Sequence, residues 1–115
     1  MPFDHERLDV YQAAIEYAVE IFGLAGRLSG LHRAARDQIL RASQSIALNI
    51  AEGNGKRSMP DRQRFFEIAR GSALECAATQ DILFACGGLS AEEHRHGHEL
   101  LERIVCMLSR MTEKR

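Results

Sequence analysis

Seven residues set the terms for this chain. Phe65, Ala69, Ser72, Cys76, Thr79, Leu83 and Cys86 follow one another in alternating steps of four and three. An α-helix turns once in 3.6 residues, so this rhythm puts all seven on one face. A strand repeats every two residues, and no segment here alternates apolar and polar residues in that way. At 1.5 Å per residue, a helix over 59–86 is a rod about 40 Å long. Such a rod has to bury its apolar face against others.

The rest of the chain supplies three partners. Only Pro2 and Pro60 interrupt it, so nearly all of it is free to be helical. Leu8, Tyr11, Ile15, Ala18, Phe22 and Ala25 predict a first helix over about 7–28, weakened by Gly23 and Gly26 and ended by Ser29-Gly30. Ile39, Ser43, Ile46 and Ile50 predict a second over about 34–52, with Gly53 as its C′ residue; Leu40, Ala47, Leu48 and Ala51 give it another apolar side. A helix apolar on two sides in so small a bundle favours an oligomer. The third, over 59–86, starts with Ser58 as N-cap and Pro60 in its first turn, and stops at Gly87-Gly88. Ser90-Ala91-Glu92-Glu93 is a capping box opening a fourth over 91–111, with the stripe Gly97, Leu101, Ile104, Leu108 and Met111; the tail 112–115 is expected to fray. Loops of roughly 3–6 residues suit antiparallel neighbours. The expected architecture is a single all-α domain, an antiparallel up-and-down four-helix bundle.

Composition narrows the setting. Cys76, Cys86 and Cys106 are too few and scattered for a disulfide framework; on apolar helical positions they read as reduced core residues of a cytoplasmic protein. The acidic, polar start has no signal-peptide pattern, and no stretch approaches the ~18 uninterrupted apolar residues of a membrane span. The net charge of −1 argues against indiscriminate polyanion binding, but its distribution is uneven. Residues 1–26 are net −4, residues 27–70 net +5, and residues 71–115 net −2. The basic middle suits either a polyanion or acidic surfaces of neighbouring subunits.

Several clusters deserve weighing. Arg41, Ser45, Asn49 and Glu52 share one stripe of the second helix, and Ser72, Glu75 and Thr79, with Gly71 beside them, form a polar stripe on the third. Polar groups buried where helices approach closely have to be hydrogen-bonded, so Arg41, Ser45, Asn49, Glu52, Ser72 and Glu75 are expected to form a partly buried network that fixes helix register. A catalytic carboxylate pair, Glu52 with Glu75, is the sharper alternative, but no His or nucleophile accompanies it. Gly53-Asn54-Gly55-Lys56-Arg57-Ser58 puts two cations before a helix N-terminus, where a phosphate can bind; it reads equally as a C-cap, a turn and an N-cap, and it lacks the Walker spacing. Arg62 and Arg64 continue the basic run, so Lys56, Arg57, Arg62 and Arg64 are the candidate phosphate contacts. Phe65 and Phe66 read as core rather than as stacking platforms. His94 and His98 stand one turn apart, but Glu93 and His96 are the only Glu-x-x-His pair, so no metal or cofactor site is expected. His5 and His32 are expected at the surface.

Ser45-Ile46, Asn49-Ile50-Ala51-Glu52-Gly53, Arg57, Phe65-Phe66 and Ile68-Ala69-Arg70-Gly71-Ser72 with Glu75 together resemble the four-helix-bundle family of 23S rRNA intervening-sequence proteins. Leu8-Asp9-Val10-Tyr11-Gln12-Ala13-Ala14 resembles its opening helix, with Tyr11 where Trp is usual, and Leu31-His32-Arg33-Ala34 lacks the usual Phe-Pro turn. The resemblance spans residues 8–86. It implies a homopentameric ring or barrel and no enzymatic activity. It also implies kinship with the accessory protein of diversity-generating retroelements, whose relatives are basic and work with a reverse transcriptase and RNA or DNA. The expectation is a non-enzymatic, homo-oligomeric scaffold or accessory protein that meets nucleic acid through its basic middle. The alternative is a protein–protein interaction module that binds none.

Overall fold

The computed structural model describes residues 2–113; Met1 and the Lys114-Arg115 end of the expected frayed tail lie outside them. Four α-helices account for most of the described residues, and no strand occurs among them: α1 Asp9–Ala25, α2 Arg33–Gly55, α3 Met59–Ala85 and α4 Ala91–Met111. Each packs on its chain neighbours, and α4 returns to α1, closing a square. Pairs across the seams run in opposite senses, as an up-and-down bundle requires. Gln38 meets Glu75 and Ser45 meets Ser72 between α2 and α3, while Arg70 meets Ser109 and Gln80 meets His94 between α3 and α4.

Local chemistry sets the ends. Ser58 caps α3 by accepting from the Asp61 N–H at 3.2 Å, and Ser90 and Glu93 complete the expected capping box on α4. At the end of α3, Gly87 takes φ +81°, the Gly88 N–H donates to the Leu83 carbonyl at 2.7 Å, and the Gly87 N–H donates to Phe84 at 3.1 Å. That is the Schellman turn a glycine pair permits. The first helix is shorter than expected. It ends at Ala25, and the chain then passes through a 3-10 turn at Gly30–His32.

The buried face of α1 differs from the expected one. Val10, Ala13, Ala14, Tyr17 and Ile21 are buried, whereas Ile15 and Phe22 are exposed. Both rows keep a helical period and lie on adjoining sides of α1, with Leu8 and Tyr11 of the expected row half-buried at the edge of the core, so periodicity alone could not choose between them. On α2 the row Ile39, Ser43, Ile46 and Ile50 is buried, but Leu48, on its expected second side, is 65% exposed. On α4 the expected stripe is buried from Gly97 to Leu108. Cys76 is buried, but Cys86 and Cys106 are exposed, because the last turn of α3 and the outer side of α4 leave the core. His5 and His32 are half-buried rather than at the surface: His5 packs edge-on against Tyr11, and the His32 ring lies beside Gly88.

One polar cluster lies inside the core. The Tyr17 hydroxyl donates to Gln80 Oε1 at 2.8 Å, and Gln80 Nε2 donates to the His94 carbonyl at 3.0 Å. Gln80 is 1% exposed, and Gly97 makes room for it: a Cβ there would lie 2.9 Å from the Gln80 amide carbon. Burial, and next the neighbouring Cys76, pushes the Tyr17 phenol far above its ordinary range. Burial, and next the charge of Glu75, pushes the Cys76 thiol from 9.0 up to about 12.

Two outcomes follow. Gly97→Ala displaces the Gln80 amide and leaves buried polar atoms unpaired, at about 1–3 kcal/mol in urea unfolding; Tyr17→Phe then costs less in that background than in the wild type. Stability also falls with rising pH between about 9 and 12, because the unfolded chain releases the Cys76 proton there and the folded chain keeps it. Denaturation midpoints measured across that range should fall less steeply in Cys76→Ala.

Candidate nucleic-acid interface

The basic run sits at the α2–α3 hairpin, and Gly53 shapes that hairpin. Gly53 is buried within α2 rather than ending it. A Cβ on it would lie 2.9 Å from both Phe65 Cβ and Phe66 Cε1, so glycine is needed here for close approach, not for a left-handed turn. The helix therefore continues to Gly55. Its last carbonyls find a donor in Arg62, which bonds the Asn54 carbonyl at 2.7 Å, the Lys56 carbonyl at 3.2 Å and Asn54 Oδ1 at 3.2 Å.

This changes the expected phosphate contacts. Arg62 is half-buried, bonded to the end of α2, and lies over the Phe66 ring at 5.8 Å, so it belongs to the hairpin and not to a binding rim. The other three are more open. Lys56 Nζ lies 5.0 Å from the centroid of Phe65 and the Arg64 guanidinium 4.8 Å from it, while Arg57 is exposed. Phe66 is buried as expected, but Phe65 is only half-buried and serves as the floor on which two cations rest. Lys56 and Arg64 each have a carboxylate at 3.9 Å, Glu52 and Asp61 respectively, at a separation and exposure where ion pairs are weak.

The expected register network is smaller than the sequence suggests. Ser45 Oγ and Ser72 Oγ are 2.8 Å apart across the α2–α3 seam, and Asn49 Nδ2 donates to the Ser45 carbonyl at 2.8 Å and to Ser45 Oγ at 3.0 Å. Arg41, Glu52 and Glu75 are exposed and stay outside it, Glu52 pairing instead with Lys56 one turn on. Glu75 instead accepts from Gln38 Nε2 at 3.2 Å. Gln38 stands 14 residues before Glu52, about 20 Å along the helix, so the Glu52–Glu75 pair is not assembled. Gly71, expected at a close approach, is exposed.

At the opposite end of the bundle, Arg27 pairs with Glu93 in a two-point bond that ties the end of α1 to the start of α4. The guanidinium holds the Glu93 carboxyl down at about 2. His94 stacks on Phe84 at 4.5 Å and meets Asp81 at 2.8 Å, His96 pairs with Glu20, and His98 lies 3.2 Å from Glu102. Among the described residues no three His, Cys, Asp or Glu side chains gather as a metal site, and no helix is long and apolar enough to cross a membrane.

A family model described as 23S rRNA-intervening sequence protein matches residues 6–110. A crystal structure of a protein of unknown function from the S23 ribosomal protein family of Bacteroides thetaiotaomicron VPI-5482 superposes with a TM-score of 0.84 at 24% identity, covering 91% of this chain and 99% of that one. No curated protein matches the chain. At that identity the structural likeness speaks for the fold alone.

The four cations separate by substitution. Arg62→Ala removes a charged donor from the half-buried carbonyls at the end of α2 and should lower unfolding free energy by about 1.5–3 kcal/mol. Arg57→Ala and Arg64→Ala should stay within about 0.5 kcal/mol. Thermal melts of the three variants side by side check this.

Proposed function

Because this chain belongs to the 23S rRNA-intervening sequence protein family, we propose that it is a non-enzymatic, homo-oligomeric scaffold or accessory protein that meets RNA or DNA through the hairpin between α2 and α3. The observation that carries this reading is the cation cluster around Phe65. Lys56 and Arg64 rest on the ring, with Arg57 beside them in the turn. Both are paired with carboxylates only at long range, so a phosphate can displace those partners at small cost. Phe65 already carries cations, which favours contact with the backbone over stacking of bases. Repetition of the cluster around an oligomer would multiply a weak contact into a useful one.

A second reading has a specific observation behind it. Arg41 and Leu48 are exposed on α2, and Ile68 and Ile82 on α3, surfaces that suit a protein neighbour. On this view the cations meet acidic groups of another subunit or of a partner protein, and nucleic acid is not bound.

Fluorescence anisotropy with labelled single-stranded and duplex RNA separates the two. Binding should be present at low salt and weaken steeply as salt rises, with a slope set by about three contacts per chain. The double substitution Arg57→Glu/Arg64→Glu should weaken it roughly tenfold or more while leaving the melting temperature and assembly intact. Lack of binding at low salt rejects the nucleic-acid reading, and loss of assembly in the double variant favours the second.

A further inference from the structure

The end of the bundle that carries the hairpin cations also carries an aromatic ring outside the core. The residues ahead of α1 form a 3-10 turn at Asp4–Arg7 that buries no side chain. Phe3 leads into it and is 71% exposed. Apolar residues exposed singly are common on protein surfaces, so exposure alone says little. What sets Phe3 apart is how its ring is held.

The Phe3 ring lies parallel to that of His5, with 5.9 Å between centroids and 6° between planes. His5 in turn meets Tyr11 of α1 edge-on at 4.7 Å. Phe3 is the outer member of a pile of rings footed on α1, and among the described residues no further ring lies on it. The backbone beneath is pinned from two sides. Asn54 Nδ2, near the end of α2, donates to Asp4 Oδ2 at 2.9 Å, and Gln12 Nε2 of α1 donates to the Glu6 carbonyl at 3.1 Å. A ring on a fixed support loses little freedom when a ligand stacks on it.

The Asp4–Asn54 bond also sets where the ring stands. Phe3 is one residue from Asp4, and Lys56 is two from Asn54. Asn54 is the residue whose carbonyl and Oδ1 Arg62 holds. One side chain therefore joins the ring to the turn that presents the cations. The two aromatic residues are suited to different work. Phe65 is occupied by Lys56 and Arg64, so it has no face to spare for a base. The segment around Phe3 carries Asp4 and Glu6 against Arg7, and α1 opens with Asp9, so it does not draw phosphate by charge. It offers a flat apolar surface instead. A surface for bases beside cations for the backbone is the combination by which proteins hold single strands. Paired bases stay stacked within a duplex, which presents chiefly its backbone and grooves.

We propose that Phe3 is a stacking platform for an unpaired base of a strand whose phosphates lie against Lys56, Arg57 and Arg64, so that this end of the bundle prefers single-stranded nucleic acid to duplex. This rests on the nucleic-acid contact of the proposed function and names the form of its ligand.

The chain has no tryptophan, so Phe3→Trp places a single indole on the platform. Titration with oligouridylate should quench its fluorescence, and an RNA duplex of equal length should leave it nearly unchanged. In anisotropy, Phe3→Ala should bind labelled oligouridylate about tenfold more weakly than the wild type, and the duplex within about twofold, with an unchanged melting temperature. Phe3→Tyr should keep the wild-type affinity for both. A wild type that binds oligouridylate with an affinity Phe3→Ala does not alter, or an indole unquenched at saturation, overturns the platform and leaves the hairpin reading standing. So does an equal loss of single-strand and duplex binding in Phe3→Ala, which would mark Phe3 as a support for the hairpin. A wild type that binds neither RNA at low salt overturns both.

Discussion

The amide of Gln80 is the point on which the alignment of three helices depends. Apolar rows can slide past one another at modest cost, since most hydrophobic contacts are non-directional. A buried amide cannot, because its donors and acceptor need partners at fixed positions. Gln80 on α3 takes one partner from α1, the Tyr17 hydroxyl, and one from α4, the His94 carbonyl. Gly97 removes the side chain that would otherwise fill the same space. The Ser45–Ser72 bond performs a similar service between α2 and α3, nearer the surface.

Around this centre the four helices divide by the character of their outer sides. Alpha-4 is one-sided, with its exposed positions mainly polar and charged, as in a bundle that ends at solvent. Alpha-1 and α3 are not, and they stand at opposite corners. The hairpin cations lie at the end where α2 meets α3, while the Arg27–Glu93 and His96–Glu20 pairs lie at the other. Exposed apolar residues therefore lie along the sides of the bundle, and the cation cluster lies at one end.

The helices were legible because their ends and rows are written in local chemistry. Ser58, Ser90 with Glu93, and Gly87 act on residues two to four positions away, so the sequence contains both partners of each interaction. The buried rows of α2 and α4 were legible because their opposite sides are more polar. Alpha-1 offered two rows of equal period, and which one faces inward depends on α2 and α4, so the choice was not contained in the helix itself. Gly53 was read as a helix stop because glycine commonly is one; its actual neighbours, Phe65 and Phe66, lie across the turn. Arg62 belonged visibly to a basic run, but only the folded hairpin shows that carbonyls claim it. The half-open Phe65, the aromatic floor of the candidate interface, had a sequence signal in the cations at positions 56 and 64, which its apolar spacing masked.

The tight contact of Gly53 with Phe65 and Phe66 also bears on the order in which the bundle forms. Those partners are about a dozen residues apart, so the loop they close is short and the entropy lost in closing it is small. The Tyr17–Gln80 bond spans 63 residues and the Arg27–Glu93 bond 66, and both require the chain to double back through most of its length. A nucleus of α2 and α3, zipped from Gly53 outward, is thus the natural first structure. Until α1 and α4 dock, that nucleus holds the Gln80 amide open to water, where its missing partners carry no penalty.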